Sequence, residues 1–222
     1  GFNFATTSFT IEAWAKRDVQ GNYAMIFSQG GLQEVNKTLH FGFRDNGNFT
    51  FAFYGNDLDV AGLSDLNWHH WAATYNATTK VRKIYRDGVA VGQDISNGGY
   101  LGSGNTDYII GQVAYFNGMG NPLSGNVDEM RLWSRELCQG EIQNNMSCEL
   151  NPSAQSGLAA LYHFNQGFVN ANNSSVTALT DASGNNRNGT LNNFALTGNT
   201  SNWTTGNVSG TCNAFVQPTA SI

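Results

Sequence analysis

Charge is scarce in this sequence. Asp, Glu, Lys and Arg together make up 12% of 222 residues, about half the usual share. Neutral Asn, Thr, Ser and Gly must therefore cover the surface, a cover common among extracellular proteins. Basic residues are the scarcer sign, 11 against 16 acidic ones, for a net charge of −5. That balance excludes the basic patch that nucleic acid or an anionic membrane would require. No apolar run reaches the length of a membrane span, so no membrane insertion is expected. The opening GFNFATTSFT shows no basic-then-apolar leader, so no signal peptide is expected within it. Cysteine is rare too, at 138, 148 and 212, with no C-x-x-C or Cys/His ligand spacing to hold zinc. One disulfide plus one spare thiol fits an oxidising compartment. RELCQGEIQNNM reads as a short helix, and ten residues of helix separate Cα atoms by roughly 15 Å, too far to bridge. This favours Cys148–Cys212, with Cys138–Cys148 left open should the helix be broken.

What is abundant points to a sheet protein. Hydrophobic residues reach 40%, aromatics 12%, and there are 26 glycines. The length suits one sandwich-sized domain, or a domain plus a tail. SFTIEAWAK alternates Phe9, Ile11 and Ala13 against Thr10, Glu12, Trp14 and Lys16. TLHFGFRDNGNFTFAFYG reads as two strands about a turn at Asp45 to Gly47. KVRKIYRDGVAVG repeats the device at Asp87-Gly88. TDYIIGQVA and GNVDEMRLWS read as further strands. The fold class is all-β: an antiparallel sandwich or jelly roll with one short helix. Sequons at Asn48, Asn76 and Asn202 carry glycans only in a host that adds them.

Composition shifts near Asn151. From there to Ile222 only Asp181 and Arg187 are charged, and 14 residues are Asn. The expected division is a core over 1–150, an Asn-rich segment over 151–212, and a linker at 213–222, NAFVQPTASI, leading to another module.

The segment WHHWAATY (68–75) gathers two Trp, two His and a Tyr. As a strand it sends His69, Trp71, Ala73 and Tyr75 one way and Trp68, His70, Ala72 and Thr74 the other. The two imidazoles then cannot share a metal, and no carboxylate is evident to orient one in a catalytic triad. A framework role fits best.

FTIEAWAK, WHHWAATYN, IYRDGVAVG and GNVDEMRLWSREL…EI, in this order, resemble LamG-like jelly-roll domains of the laminin G domain 3 type. These belong to the concanavalin A-like lectin/glucanase superfamily. The resemblance covers about residues 5–145. It implies two antiparallel sheets, one curved, with ligand on the concave face or at the loop rim, often near calcium. One departure stands out: a segment like LYHFNQG…LTDASGNNRNGTL usually precedes the FTIEAW strand in that family, and here it follows VDEMRLW. LAALYHF is therefore expected to pair with VDEMRLW and close the same sandwich. The arrangement is also similar to secreted modular proteins of Bacteroidetes.

The resemblance directs attention to sugar chemistry. Stacking on a planar ring costs little side-chain entropy, and amides or carboxylates orient hydroxyls. FYGNDLD supplies Tyr54, Asn56 and Asp57; AYFNGMGN supplies Tyr115, Phe116, Asn117 and Asn121; GGYLGSGN adds Tyr100. Asp128, placed on the core side at a strand start, and Asp181, in DASGNNRNG, are candidate ligands for a structural Ca2+. A turn-forming role competes at both positions. Glu12, Lys16, Glu129 and Arg131 read as cross-strand ion pairs. The E-x-D-x-(x)-E strand motif of the superfamily's glucanases is missing, and neighbours Asp128 and Glu129 should diverge. The expectation is a secreted, non-catalytic carbohydrate-binding module with glycan and sibling modules as partners. An adhesive spacer and a glycoside hydrolase or lyase of the same fold are the competitors.

Overall fold

The computed structural model describes residues 2–5, 7–62, 65–104, 107–115 and 118–212. The expected linker at 213–222 lies outside them. In chain order the strands are β1 (Phe9–Arg17), β2 (Ala24–Gln29), β3 (Leu39–Phe43), β4 (Phe49–Ala52), β5 (Asp57–Val60), β6 (His69–Tyr75), β7 (Val81–Arg86) and β8 (Val89–Ile95). There follow β9 (Tyr108–Ile110), β10 (Val113–Tyr115), β11 (Gly118–Gly120) and β12 (Gly125–Trp133), then helix α1 (Gln139–Asn145) and β13 (Leu158–Tyr162). Two short strands, β14 (Ala178–Leu179) and β15 (Gly189–Thr190), pair with each other.

Two antiparallel sheets result, a six-stranded one ordered β13-β12-β1-β6-β7-β8 and a five-stranded one ordered β5-β4-β3-β2-β9. The β7–β8 hairpin closes on Asp87 and Gly88, both at positive φ (51° and 74°), as a two-residue primed turn requires. TDYIIGQVA does not form one strand. The chain breaks at Gly111 (φ 89°), whose N–H bonds Ile26 O, and β10 then leaves the sheet to pair with β11. Residues 57–60, read from sequence as loop, form edge strand β5 because Leu58 can face the core.

Alternation fills the space between the sheets. Phe9, Ile11, Trp71, Tyr75, Met130 and Leu132 meet Phe27, Phe41, Phe43, Phe49 and Phe51. The Trp71 and Phe49 rings stack across the gap at 3.9 Å and 3°.

The other face of the six-stranded sheet is buried too. Ala72, Tyr85, Trp133 and Leu161 lie under Leu137, Ile142 of α1, Leu150 and Cys212. The α1 helix separates Cys138 from Cys148; Cys148 is bonded to Cys212 and Cys138 is free and exposed. β13 pairs with β12 through Met130↔Tyr162 and Leu132↔Ala160, so the Asn-rich segment supplies an edge strand of the main sheet.

Trp71→Ala removes the ring that joins the two sheets and should cost about 3–5 kcal/mol in urea unfolding. A loss below about 1 kcal/mol would place that ring outside the packed core.

Candidate ligand-binding site

β3 points Leu39, Phe41 and Phe43 inward, which sends His40 to the outer face of the five-stranded sheet. Across the ladder His40 pairs with Ala52, and Ala52 with Asp57. Residues 111–115 and 118–123 fold over this face, pinned by Ser28 Oγ donating to Gln112 O (2.8 Å) and Met25 N–H to Asn121 O (3.0 Å). His40 consequently lies between two tyrosines. Tyr54 meets it edge-on at 6.1 Å from one side and Tyr115 at 5.9 Å from the other. Both tyrosines are half-buried, and Asn121 Nδ2 donates to the Tyr115 hydroxyl at 2.9 Å. The imidazole is 8% exposed, and its Nε2 has no hydrogen-bond partner among the described residues. Burial pushes its pKa down to about 4, against a smaller upward pull from Asp57 and with a further downward push from Arg44. The ring is therefore neutral at pH 7 and carries a buried polar atom whose desolvation no partner offsets.

The remaining sequence candidates scatter. Asp57 sits at the margin of this face, paired with Arg44 Nη2 at 2.7 Å. Asn56 is consumed structurally. Its Nδ2 donates to Asn36 Oδ1, Ser96 Oγ and Asn97 O, and its Oδ1 accepts from Arg82 Nη2. Tyr100 is a core residue, 1% exposed, packed on Phe53 at 5.3 Å with its hydroxyl directed to Gln29 O. Neither can meet a ligand. Asn117 and Phe116 lie outside the described residues. What sequence reading missed is His40, because a lone His in an apolar strand resembles ordinary packing.

The two carboxylates considered for calcium are surrounded by donors of the wrong polarity. Asp128 Oδ2 accepts from the backbone N–H groups of Asn207 (2.7 Å) and Val208 (3.0 Å), and Oδ1 from that of Glu129 (3.0 Å). Gly206 permits this approach, since a Cβ there would fall 2.7 Å from Oδ2. Asp181 accepts from the N–H groups of Leu161, Ser183 and Arg187, an Asx turn that ties 181–187 to β13. Calcium needs oxygen lone pairs aimed inward; here N–H groups take their place, and the arrangement does not fit the ion. Among the described residues no three His, Cys, Asp or Glu side chains gather as metal ligands.

Asp128 also lies on the other side of its strand from the one expected. A bulge at Glu129 (φ 47°) shifts the β1–β12 register between Glu12 and Trp14. Val127 packs on the core, and Asp128 faces out with Glu129 toward the covering segment instead of diverging from it. There Glu12, Glu129 and Arg131 form a buried cluster, each 1% exposed or less. Arg131 lies 3.6 Å from Glu12 and 3.0 Å from Glu129, and donates to Asn145 O and Cys148 O. Trp133 Nε1 donates to Glu12 Oε1 at 3.0 Å, while His163 Nδ1 bonds Glu129 Oε1. Burial raises the Glu12 pKa, against the lowering pull of Arg131. Lys16 is not part of this cluster; it lies 3.9 Å from Asp18 and over the Trp68 ring.

The paired histidines part as strand geometry demands. His70 is buried 3.5 Å from Glu12, its pKa lowered to about 3 by burial first and by Arg131 second. His69 does have carboxylates beside it, contrary to the sequence reading: Asp87 at Nδ1 (2.7 Å) and Asp65 at Nε2 (3.1 Å). With both nitrogens so engaged, none is left to activate a nucleophile.

Two measurements check these assignments. Because the folded pKa of His40 is about 4 against 6.5 for a free imidazole, the unfolded chain takes up a proton between these values that the folded chain refuses. Stability falls as pH drops through that window, and His40→Gln should flatten the slope by about 1 kcal/mol per pH unit. An unchanged slope would mean the imidazole titrates freely. Asp128→Ala should cost about 1–3 kcal/mol by removing the shared acceptor of the Glu129, Asn207 and Val208 N–H groups, whereas a chelator should leave the wild-type melting temperature in place. A drop on chelation would restore the calcium assignment.

No curated protein matches the chain. Among solved structures, a proposed carbohydrate-binding protein from Bacteroides ovatus is 23% identical over 86% of this chain, with a TM-score of 0.67. This chain spans about half of it, 54%. The CBM40 of the Ruminococcus gnavus IT-sialidase is 16% identical, with a TM-score of 0.52, over 63% of this chain and 82% of that one. Both share the fold. The laminin G domain 3 profile of the concanavalin A-like lectin/glucanases superfamily matches residues 1–143, well over half of the sequence, and the chain belongs to that family.

Proposed function

We propose that the protein is a non-catalytic carbohydrate-binding module of a secreted or cell-surface multimodular protein, taking glycan on the outer face of the five-stranded sheet. The observation that carries this reading is the pair of partly exposed tyrosines, Tyr54 and Tyr115, that flank the neutral His40 on one sheet face. Tyrosine faces suit the apolar side of a sugar ring, and their hydroxyls exchange hydrogen bonds with its hydroxyls. Asp57 and Asn121 stand at the margin to fix orientation. The R. gnavus CBM40 has been solved with α2,3-sialyllactose on a similar fold, which supports glycan as the ligand class here. The disulfide fits an oxidising compartment, and no described helix is long and apolar enough to cross a membrane.

The absence of catalysis is part of the proposal and rests on the placement of the acids. Glu12 and Glu129 are bridged by Arg131 beneath α1 and the disulfide-linked segment, and are sealed from solvent. A glycosidase pair needs the sugar between its carboxylates, about 5–10 Å apart.

Affinity electrophoresis through polysaccharide gels and a glycan array test the reading. Retention by at least one glycan is expected, and the Tyr54→Ala/Tyr115→Ala double variant should bind it at least about tenfold more weakly, a change of about 1.4 kcal/mol. Wild-type retention that survives the double variant would move the site elsewhere. Failure to bind any glycan would favour the adhesive spacer, and release of reducing ends from a polysaccharide would favour the enzyme.

A further inference from the structure

A groove of about 940 Å³, lined by none of His40, Tyr54 and Tyr115, lies where β9 and the start of β12 meet the segment 162–209. Its volume is at the upper end of the ~300–1,000 Å³ typical of small-molecule sites. One wall comes from the family jelly roll, with Trp68, Tyr108 and Met119; the other, with Phe164, Phe194 and Trp203, comes from residues beyond the family match. The second wall is firmly built. Trp203 lies against the backbone of Gly167, where a Cβ would fall 2.5 Å from the ring, and Phe194 packs on it at 6.2 Å. Asp128 anchors the same wall through the N–H groups of Asn207 and Val208, and Asn126 Nδ2 donates to Thr204 Oγ1 at 2.9 Å.

Three features of the groove indicate an occupant. Large apolar groups stand at its mouth: Met119, Val169 and Phe194 are 57%, 52% and 48% exposed. An apolar rim around a partly polar lining is the composition of a ligand cleft. The Trp203 Nε1 is buried and has no hydrogen-bond partner among the described residues, although the side chain is only 8% exposed. A buried indole N–H ordinarily finds an acceptor. Between the aromatic groups the lining is polar: Asn165 and Asn192 each spend an Nδ2 bond internally, on Glu149 Oε1 and Thr190 O, and Asn188 its Oδ1 on the Asp181 N–H, so each keeps capacity for a ligand, whereas the Asn202 amide is fully engaged within the wall.

Charge then selects among ligands. The lining holds the carboxylates Asp107, Asp128 and Glu149 against one guanidinium, Arg187, which donates to Ala159 O and lies over the Phe2 ring. An acidic saccharide would meet net repulsion. A neutral one offers hydroxyls to the amides of Asn165, Asn188 and Asn192 and apolar ring faces to Phe194.

We infer that this groove is a second binding site, specific for a neutral oligosaccharide and assembled jointly by the jelly roll and the Asn-rich segment. It uses none of His40, Tyr54 and Tyr115, and a chain with both sites engages glycan in two places.

Affinity electrophoresis separates the two sites. The wild-type chain runs through gels containing β-glucan, xylan, mannan or starch, with polygalacturonate as the acidic comparison. Phe194→Ala and Trp203→Phe probe the groove, and Tyr54→Ala the other face. Phe194 is half exposed and Trp203→Phe retains an apolar ring, so both variants should fold, checked by melting temperature. At least one neutral polysaccharide should retard the wild type. Phe194→Ala should weaken that retardation at least about tenfold, Trp203→Phe should weaken it, and Tyr54→Ala should leave a groove-dependent component intact. Polygalacturonate should not retard the chain through the groove. Three results would overturn the inference: no retardation by any neutral gel, retardation insensitive to both groove variants, or polygalacturonate retardation that Phe194→Ala abolishes. Loss in Tyr54→Ala alone would remove the groove and leave the other face standing.

Discussion

A buried guanidinium organises this molecule. Arg131 stands on the outer face of the six-stranded sheet and is sealed from solvent. It bridges Glu12 of β1 and Glu129 of β12, then reaches across to the carbonyls of Asn145 and Cys148. An unpaired charge there would cost several kcal/mol, so the covering layer and the sheet must form together. That layer in turn carries the disulfide to Cys212, and the chain preceding it is fastened at Asn207 and Val208 by Asp128. The jelly roll thus has a third layer on one side, and that layer covers Glu12 and Glu129.

The two candidate surfaces follow from the same construction. One sheet has its outer face covered by α1 and the disulfide-linked segment, which leaves the outer face of the other as the place where a polar group such as His40 can stand near a ligand. The covering chain, continuing past β13, also builds a wall where the sandwich ends. The family portion alone would supply only the smaller part of that groove.

Legibility in the sequence tracked the physics of alternation. β1, β6, the β3–β4 and β7–β8 hairpins and β12 were readable because period-two patterns and Asp-Gly or Asn-Gly turns are local signals. Edge strand β5 was not, since Asp57 and Asp59 mask its single inward Leu58. The bulge at Glu129 was invisible too, because a non-glycine residue at positive φ leaves no mark in composition, and it reversed the expected direction of Asp128. For the site, Tyr54 and Tyr115 could be named, but the residue between them could not, since only tertiary folding brings those two rings to either side of His40. Asn56 and Tyr100 failed as candidates because a loop-like sequence does not reveal whether its polar groups are spent internally.

The central claim is that the ion cluster joins the Asn-rich segment to the jelly roll as a single cooperative unit. Native-state hydrogen exchange measures this directly, amide by amide. The account predicts that Leu161, Val208 and Cys212, whose N–H groups bond Asp181, Asp128 and Glu149, open with free energies within about 1 kcal/mol of Ile11 and Ala73 in the central strands. Exchange of those three amides through local opening, several kcal/mol easier than the central strands, would contradict it.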